Sequence, residues 1–186
     1  MKKNLILEGK SIILRPIKKS DCNLKYLKWL QDKEINKYLE TRWSKQSIKG
    51  IKEYVEEMNK SKNDFLFAIQ DINTSEHIGN IKLGNLDFNH MSGETSYFIG
   101  NKNFWKKGKA FEAINLIMVF FFDVLKLEYL LAGVYETNTS SKKLLKKLGF
   151  IQQGRFKKKI TSNGKRIDHL FFGLNKNQYE QKKINV

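Results

Sequence analysis

The chain has 186 residues, of which 40% are hydrophobic and 29% charged, and 35 Lys and Arg against 19 Asp and Glu give a net charge of +16. That length fits about one domain with a single sizeable core, and the composition excludes widespread disorder. The lone cysteine, Cys22, excludes an internal disulfide framework and any multi-cysteine zinc site, and His77, His90 and His169 show no metal-ligand spacing.

In chain order, residues 4–7 and 11–17 read as two short strands around Gly9. Ser20 and Asp21 then mark a helix start, and Leu24, Leu27, Trp29 and Leu30 follow at helical spacing. A second short helix is expected over 32–39, and Ser44 precedes an amphipathic segment carrying Ile48, Ile51, Tyr54, Val55 and Met58. From Asp64 the period changes, with β-favouring Phe65-Leu66-Phe67-Ala68-Ile69 followed by strands over 77–86 and 94–99. A long helix over 107–125, a strand over 129–135, a helix over 139–148 and a strand over 150–160 complete the alternating part. Asn163-Gly164 signals a type I′ hairpin, because both residues tolerate positive φ, and 166–174 is the returning strand. This order predicts one mixed α/β (α+β) domain spanning 1–186, not a doubly wound nucleotide fold.

All the basic residues except Arg15, Arg42, Arg155 and Arg166 are lysine. Lysines spread along the chain favour a compositional origin over nucleic-acid binding, although the field would also serve an anionic small ligand. The longest apolar stretch, 114–125, is broken by Asn115 and Asp123 and falls short of the ~20 residues of a membrane span. With no secretory h-region at the N-terminus, the expectation is a soluble cytoplasmic protein.

The most informative segment for chemistry runs from Ile99 through Gly100, Trp105, Lys106, Lys107, Gly108, Lys109, Ala110 and Phe111 to Glu112-Ala113. A strand ends, a loop rich in Gly and Lys follows, and a helix begins. Helix N-terminal N–H groups lack intrahelical partners and, with the dipole, favour an anion. Neither a Walker P-loop nor a G-x-G-x-x-G fingerprint is present. A second segment, Asn138 to Phe150, carries Asn138, Ser141, Leu148, Gly149 and Phe150.

With these two segments the chain resembles the GCN5-related N-acetyltransferase (GNAT) superfamily, most closely the ribosomal-protein-alanine acetyltransferase-like branch that also contains surface-sugar acetyltransferases. Gly108 and Ala110 match the small residues of Q/R-x-x-G-x-G/A, Trp105, Lys107 and Gly108 match the branch's tryptophan-glycine-lysine-glycine form, and Asn138, Ser141 and Leu148-Gly149-Phe150 match N-x-x-[AS]…L-G-F. Gly154, Gly164 and Asp168 match its closing hairpin. Lys106 replaces the usual glycine, Phe111 a common threonine, and Leu145 stands where many members carry a tyrosine general acid.

The resemblance implies a mostly antiparallel twisted sheet of about seven strands flanked by helices, with a splayed cofactor cleft between the fourth and fifth. It implies acetyl-CoA as cofactor, bound by Phe98, Ile99, Gly100, Trp105, Lys106, Lys107, Gly108, Lys109, Ala110, Phe111, Asn138 and Ser141, with no metal. Direct transfer to a primary amine then follows, helped by proximity and a base. Glu94 is the first candidate base and His90 the second, while Ser141 would protonate the departing thiolate. The segment around Trp29, Tyr38, Arg42 and Trp43 resembles acceptor-binding segments of surface-sugar enzymes, and Asp168 is a candidate for orienting substrate. The expected acceptor is an amino group on a nucleotide-linked deoxysugar. Nα-acetylation of a protein terminus, a non-catalytic acyl-CoA- or nucleic-acid-binding module, and a homodimer stay open. A nucleic-acid or membrane partner is not expected.

Overall fold

The computed structural model describes residues 5–184. Eight strands form one sheet: β1 (Leu7–Glu8), β2 (Ile12–Pro16), β3 (Phe65–Asp71), β4 (His77–Asp87), β5 (Ser92–Ile99), β6 (Tyr129–Tyr135), β7 (Ile151–Ser162) and β8 (Lys165–Asn175). Their spatial order is β1-β2-β3-β4-β5-β6-β8-β7. Every neighbouring pair is antiparallel except β5 and β6, which are parallel.

Six helices flank the sheet: α1 (Leu24–Gln31), α2 (Lys33–Asn36), α3 (Ile48–Lys60), α4 (Lys109–Val119), α5 (Thr139–Lys147) and α6 (Lys176–Ile184). Tyr26, Trp29 and Leu30 of α1 and Ile51, Val55 and Met58 of α3 pack on one sheet face around Leu66 and Ala68. On the other face Ala113, Ile114 and Ile117 of α4 and Leu145 of α5 join the larger core of Ile12, Phe67, Ile81 and Phe172. Burying each large apolar side chain there contributes roughly 1.5–3 kcal/mol, so both helical layers are held by the sheet.

The expected architecture holds, but the sheet has eight strands rather than seven. The splayed pair is therefore the fifth and sixth strands, not the fourth and fifth. Helix α1 is capped by Asn23 rather than started at Ser20 and Asp21, which belong to a separate 3-10 turn. The first expected strand reduces to Leu7–Glu8, and Asn4 lies outside the described residues. The helix expected over 32–39 is a single turn followed by a 3-10 turn, Glu40–Trp43. The long helix changes at its end to a π turn, Phe120–Val124, where Phe120, Phe121 and Phe122 are all buried. Asn163 and Gly164 have φ of 49° and 72°, as a type I′ hairpin requires. The lone Cys22 is buried.

Candidate active site

The site is created by a failure of pairing. Strands β5 and β6 are joined only at Ser92↔Tyr129, Gly93↔Leu130 and Glu94↔Leu131. Beyond Glu94, β5 stays paired with β4 on its other side up to Ile99, and β6 stays paired with β8 up to Tyr135. The two strands diverge into a V whose inner edges carry backbone N–H and C=O groups turned into a cleft of about 570 Å³. Such edge groups need partners, and an extended ligand would supply them.

Helix α4 starts at the mouth of the V. Its N-cap is Gly108, at φ 77° and without a side-chain cap, so the N–H groups of Lys109, Ala110 and Phe111 have no intrahelical acceptor. A Cβ on Gly108 would meet nothing within 4 Å, so open space lies against this helix start. Lys106 takes φ 60°, a left-handed conformation that favours glycine, which is the residue expected there by resemblance. Trp105 pins the loop, its indole Nε1 donating to the Ile99 carbonyl at 2.8 Å. Lys106 and Lys107 are exposed beside the helix start. Uncapped N–H groups, free strand edges and this open space fit a pyrophosphate followed by an extended amide arm, which is the shape of acetyl-CoA.

Lys109 is a correction. Its ammonium is buried, 2.6 Å from Asp71 and 3.1 Å from the Ser11 carbonyl, so its side chain braces α4 against β3 and the β1–β2 turn instead of facing an anion. Glu112, from the same motif, accepts from the Ser11 backbone and hydroxyl at 2.8 and 2.5 Å and anchors α4 to the β1–β2 turn. Phe111 lines the cleft beneath the Lys147 ammonium, 5.1 Å from its ring centre.

The far wall comes from β6 and α5. Asn138 is the N-cap of α5, its Oδ1 accepting from the Ser141 N–H at 3.1 Å. The Ser141 hydroxyl sits 3.0 Å from the Tyr97 hydroxyl, and both residues line the cleft. Burial pushes the Tyr97 hydroxyl pKa up, against the Ser141 hydrogen bond, so the phenol stays protonated at neutral pH. Leu145 is buried in the same wall.

Glu94 forms the last rung before the strands part, which places it at the apex of the V. It is exposed, and its carboxylate accepts from the Asn85 side chain at 3.2 Å. Side chains alternate along strands, so Glu94 and Phe98 share the sheet face covered by α1 and α3, while Thr95 and Tyr97 face α4 and α5. His90, the other candidate base, is an exposed turn residue at the β4–β5 connection, its N–H bound to Asp87 at 2.9 Å, and neither it nor Glu94 is among the residues that line the cleft.

The acceptor candidates divide. Tyr38 lines the cleft, donates to the Thr137 carbonyl at 3.0 Å and meets Tyr135 edge-on. Arg42 reaches the same place, but its guanidinium is engaged by the Leu39 carbonyl, the Tyr135 hydroxyl and the Thr161 carbonyl. Trp43 is exposed under that guanidinium, 4.5 Å from its carbon. Trp29 is a correction: it is buried among Tyr26, His77 and Phe98, and a Cβ on Gly100 would lie 2.1 Å from its ring. It supports the start of the cofactor loop from below. Asp168 is another, being buried and bound by the Lys158 N–H at 2.7 Å and by Arg155. Those hydrogen bonds and the Arg155 guanidinium hold its carboxyl below the usual range, and it ties the β7–β8 hairpin together.

Four groups near the cleft were not singled out from sequence. Tyr97 is one, and Tyr135, which also accepts from Arg42, and its partner Glu40 are two more. The fourth is His169, next to Asp168 in β8 and therefore on the opposite sheet face. Its Nε2 would lie only 2.7 Å from a Cβ on Gly133, and its Nδ1 is buried without a partner among the described residues. The available signal was strand alternation, which makes Asp168 and His169 alternatives rather than a pair.

The profile of the acetyltransferase (GNAT) domain family matches residues 11–151. The SPbeta prophage-derived uncharacterized N-acetyltransferase YokL of Bacillus subtilis (strain 168) is 29% identical over 174 residues, covering 92% of this chain and 94% of that protein. The uncharacterized N-acetyltransferase YoaA of the same organism is 30% identical over 166 residues, covering 88% and 92%. Among solved structures, the spermidine N-acetyltransferase of Vibrio cholerae in complex with CoA and spermine superposes with a TM-score of 0.82 at 20% identity, covering 92% of this chain and 99% of that one. The chain belongs to the GNAT acetyltransferase family: it is an acyltransferase whose acetyl donor is acetyl-CoA.

Proposed function

We propose that this acetyltransferase passes the acetyl group directly to a primary amine on a small molecule, the amino group of a nucleotide-linked amino-deoxysugar, with 1–186 acting as one cytoplasmic catalytic domain. The observation that carries the direct transfer is the V between β5 and β6, open at the uncapped start of α4 and closed at Glu94. Acetyl-CoA supplies an activated thioester.

The chain's own residues supply position and proton handling. N–H groups of Lys109, Ala110 and Phe111 hold the pyrophosphate, with Lys106 and Lys107 adding charge. Edge groups of β5 and β6 hold the arm and exclude water from it. Ser141, hydrogen-bonded to protonated Tyr97, stands on the cleft wall as the proton donor for the leaving sulfur. Glu94 faces the acceptor side and draws the ammonium form of the amine towards the apex. Holding both reactants in this geometry replaces a bimolecular encounter with a local one.

For the acceptor, support comes from the β7–β8 hairpin. Lys157, Lys158, Lys159, Lys165 and Arg166 are exposed there, beside the exposed ring of Phe156. A diphosphate and a base or sugar would find cations and an aromatic face on this hairpin, a role that Arg42, already engaged, cannot fill. A second reading is a polyamine acceptor, the class named for the Vibrio cholerae enzyme, and the carboxylates of Glu40 and Glu94 on the acceptor side favour it.

Thiol release from acetyl-CoA tests the choice, using a panel of UDP- and dTDP-linked amino-deoxysugars, N-terminal ribosomal peptides and polyamines. Turnover with the amino-sugar nucleotides alone is the expected result. Turnover only with polyamines or peptides overturns the acceptor but keeps the amine transfer. Silence across the panel with acetyl-CoA bound overturns the small-amine reading.

A further inference from the structure

We propose that His169 is the general base for the acceptor amine, reaching it across the gap left by the missing side chain of Gly133. The proposal rests on the amine-transfer reading above and deepens it. Three observations converge. Gly133 lies on β6 two residues past Leu131, the last residue paired with β5, so it borders the open part of the V and lines the cleft. His169 lies on β8 and pairs with Tyr135; it stands behind Gly133 rather than in the cleft lining, and its ring leans over Gly133, with Nε2 only 2.7 Å from where a Cβ would be. Any other residue at 133 would push the imidazole away or stand between it and the cleft. Finally, Nδ1 is buried with no hydrogen-bond partner among the described residues, so no carbonyl or carboxylate within the fold grips the ring and fixes its tautomer.

The surroundings suit a proton acceptor. Tyr135 from β6, with Glu40 and Arg42 bonded to its hydroxyl, meets the ring edge-on, and the charges of Lys159, Glu40 and Glu94 act on it electrostatically. Burial, aided by Lys159, holds the imidazole pKa below its usual value against the pull of Glu40 and Glu94. The ring is therefore neutral at neutral pH and has a lone pair to offer. Aromatic faces of Tyr135 and Phe171, 5.8 and 4.4 Å from it, keep water off two sides.

The proton balance closes without a further reactant. The acceptor ammonium gives one proton to His169 Nε2. Its nitrogen lone pair forms the C–N bond as the C–S bond breaks. The second nitrogen proton replaces the one that Ser141 delivers to sulfur, and the imidazolium then releases its proton to water. The net yield is amide, free thiol and one proton.

The test compares His169→Gln, Glu94→Gln and Gly133→Ala in the full chain by pH–rate profile, with proton NMR titration of the histidines as a readout independent of turnover. His169→Gln should lower kcat by roughly 10²–10⁴-fold. It should remove the acid limb of the kcat/KM profile and leave acetyl-CoA affinity within about twofold. Glu94→Gln should raise KM for the amine and keep that limb. In the spectrum, the resonance lost in His169→Gln should titrate below ~6.5 in the free protein and move in Gly133→Ala. An acid limb that disappears in Glu94→Gln but survives in His169→Gln overturns the proposal, and so does a His169 resonance that titrates at or above the ordinary value. Failure of the amine-transfer reading would appear separately, as absence of turnover with every amine in the wild-type chain.

Discussion

Lys109 sits in a run of cations before a helix, where sequence alone assigns it to phosphate, yet the structure buries its ammonium against Asp71 at 2.6 Å. Lys109 is 8% exposed and Asp71 2%, so neither charge has water to fall back on. Removing one partner of a buried pair costs about 3–5 kcal/mol, because the other is left buried and uncompensated. Asp71 would keep its bonds from the Thr74 N–H and hydroxyl, which places Lys109→Met towards the lower end. At about 2–4 °C per kcal/mol for a chain of this size, Tm should fall by about 6–12 °C. The pH dependence adds a check. The Lys109 hydrogen bond holds the Asp71 carboxyl below its usual range, so this stabilisation is present above the unfolded pKa of ~3.9 and is lost as pH falls through the folded value. The gap in Tm between wild type and Lys109→Met should therefore narrow below about pH 4. Calorimetric titration with acetyl-CoA, below both melting temperatures, should give Kd values within about twofold of each other, whereas Lys107→Ala should loosen binding by up to about fivefold, the scale of an exposed ion pair. A Lys109→Met variant that melts like wild type but binds acetyl-CoA tenfold more weakly would refute this assignment.

Gly100→Ala should cost about 1–3 kcal/mol, since the new Cβ would press within 2.1 Å of the buried Trp29 ring; urea unfolding measures it, and Trp29→Phe in the same chain should recover part of the loss. Gly108→Ala meets no neighbour, so its penalty is the ~1–2 kcal/mol of a left-handed alanine, visible as lower Tm and weaker acetyl-CoA binding. Lys106→Gly relieves the same conformation and should raise Tm slightly with acetyl-CoA affinity kept. His77 donates from Nε2 to Asn80 at 2.7 Å and the Gly79 carbonyl at 3.0 Å, and burial lowers its pKa, so it folds neutral. A depressed histidine contributes stability above its unfolded pKa of ~6.5 that is lost as pH falls towards the folded value. His77→Gln should therefore flatten the decline in Tm between pH 7 and 5.

What the sequence made legible was whatever local chemistry decides. Strand periods, the Asn163-Gly164 turn and the glycine-capped start of α4 each depend on residues within a few positions, and each appears where expected apart from the short β1 and the truncated second helix. The loop, helix end and capping asparagine proposed to hold the cofactor take their expected local form for the same reason. The acceptor side was not legible, because it is assembled by register. Asp168 attracts attention as a carboxylate, but β6↔β8 pairing turns it into the core and turns its neighbour His169 onto the face of Glu94 and Gly133. Shifting β8 by one residue would exchange them, and nothing within the strand's own sequence states the register. Lys109 fails in the same way, since its partner is 38 positions away on another strand. Leu145 shows the converse. Its position identifies a missing hydroxyl, yet only the fold reveals that β5 brings the Tyr97 hydroxyl to Ser141 across the cleft from α5. A catalytic group can thus be absent from its usual place in the chain while a hydroxyl pair still faces the cleft, because chemistry is selected by position in space and the sheet converts one into the other.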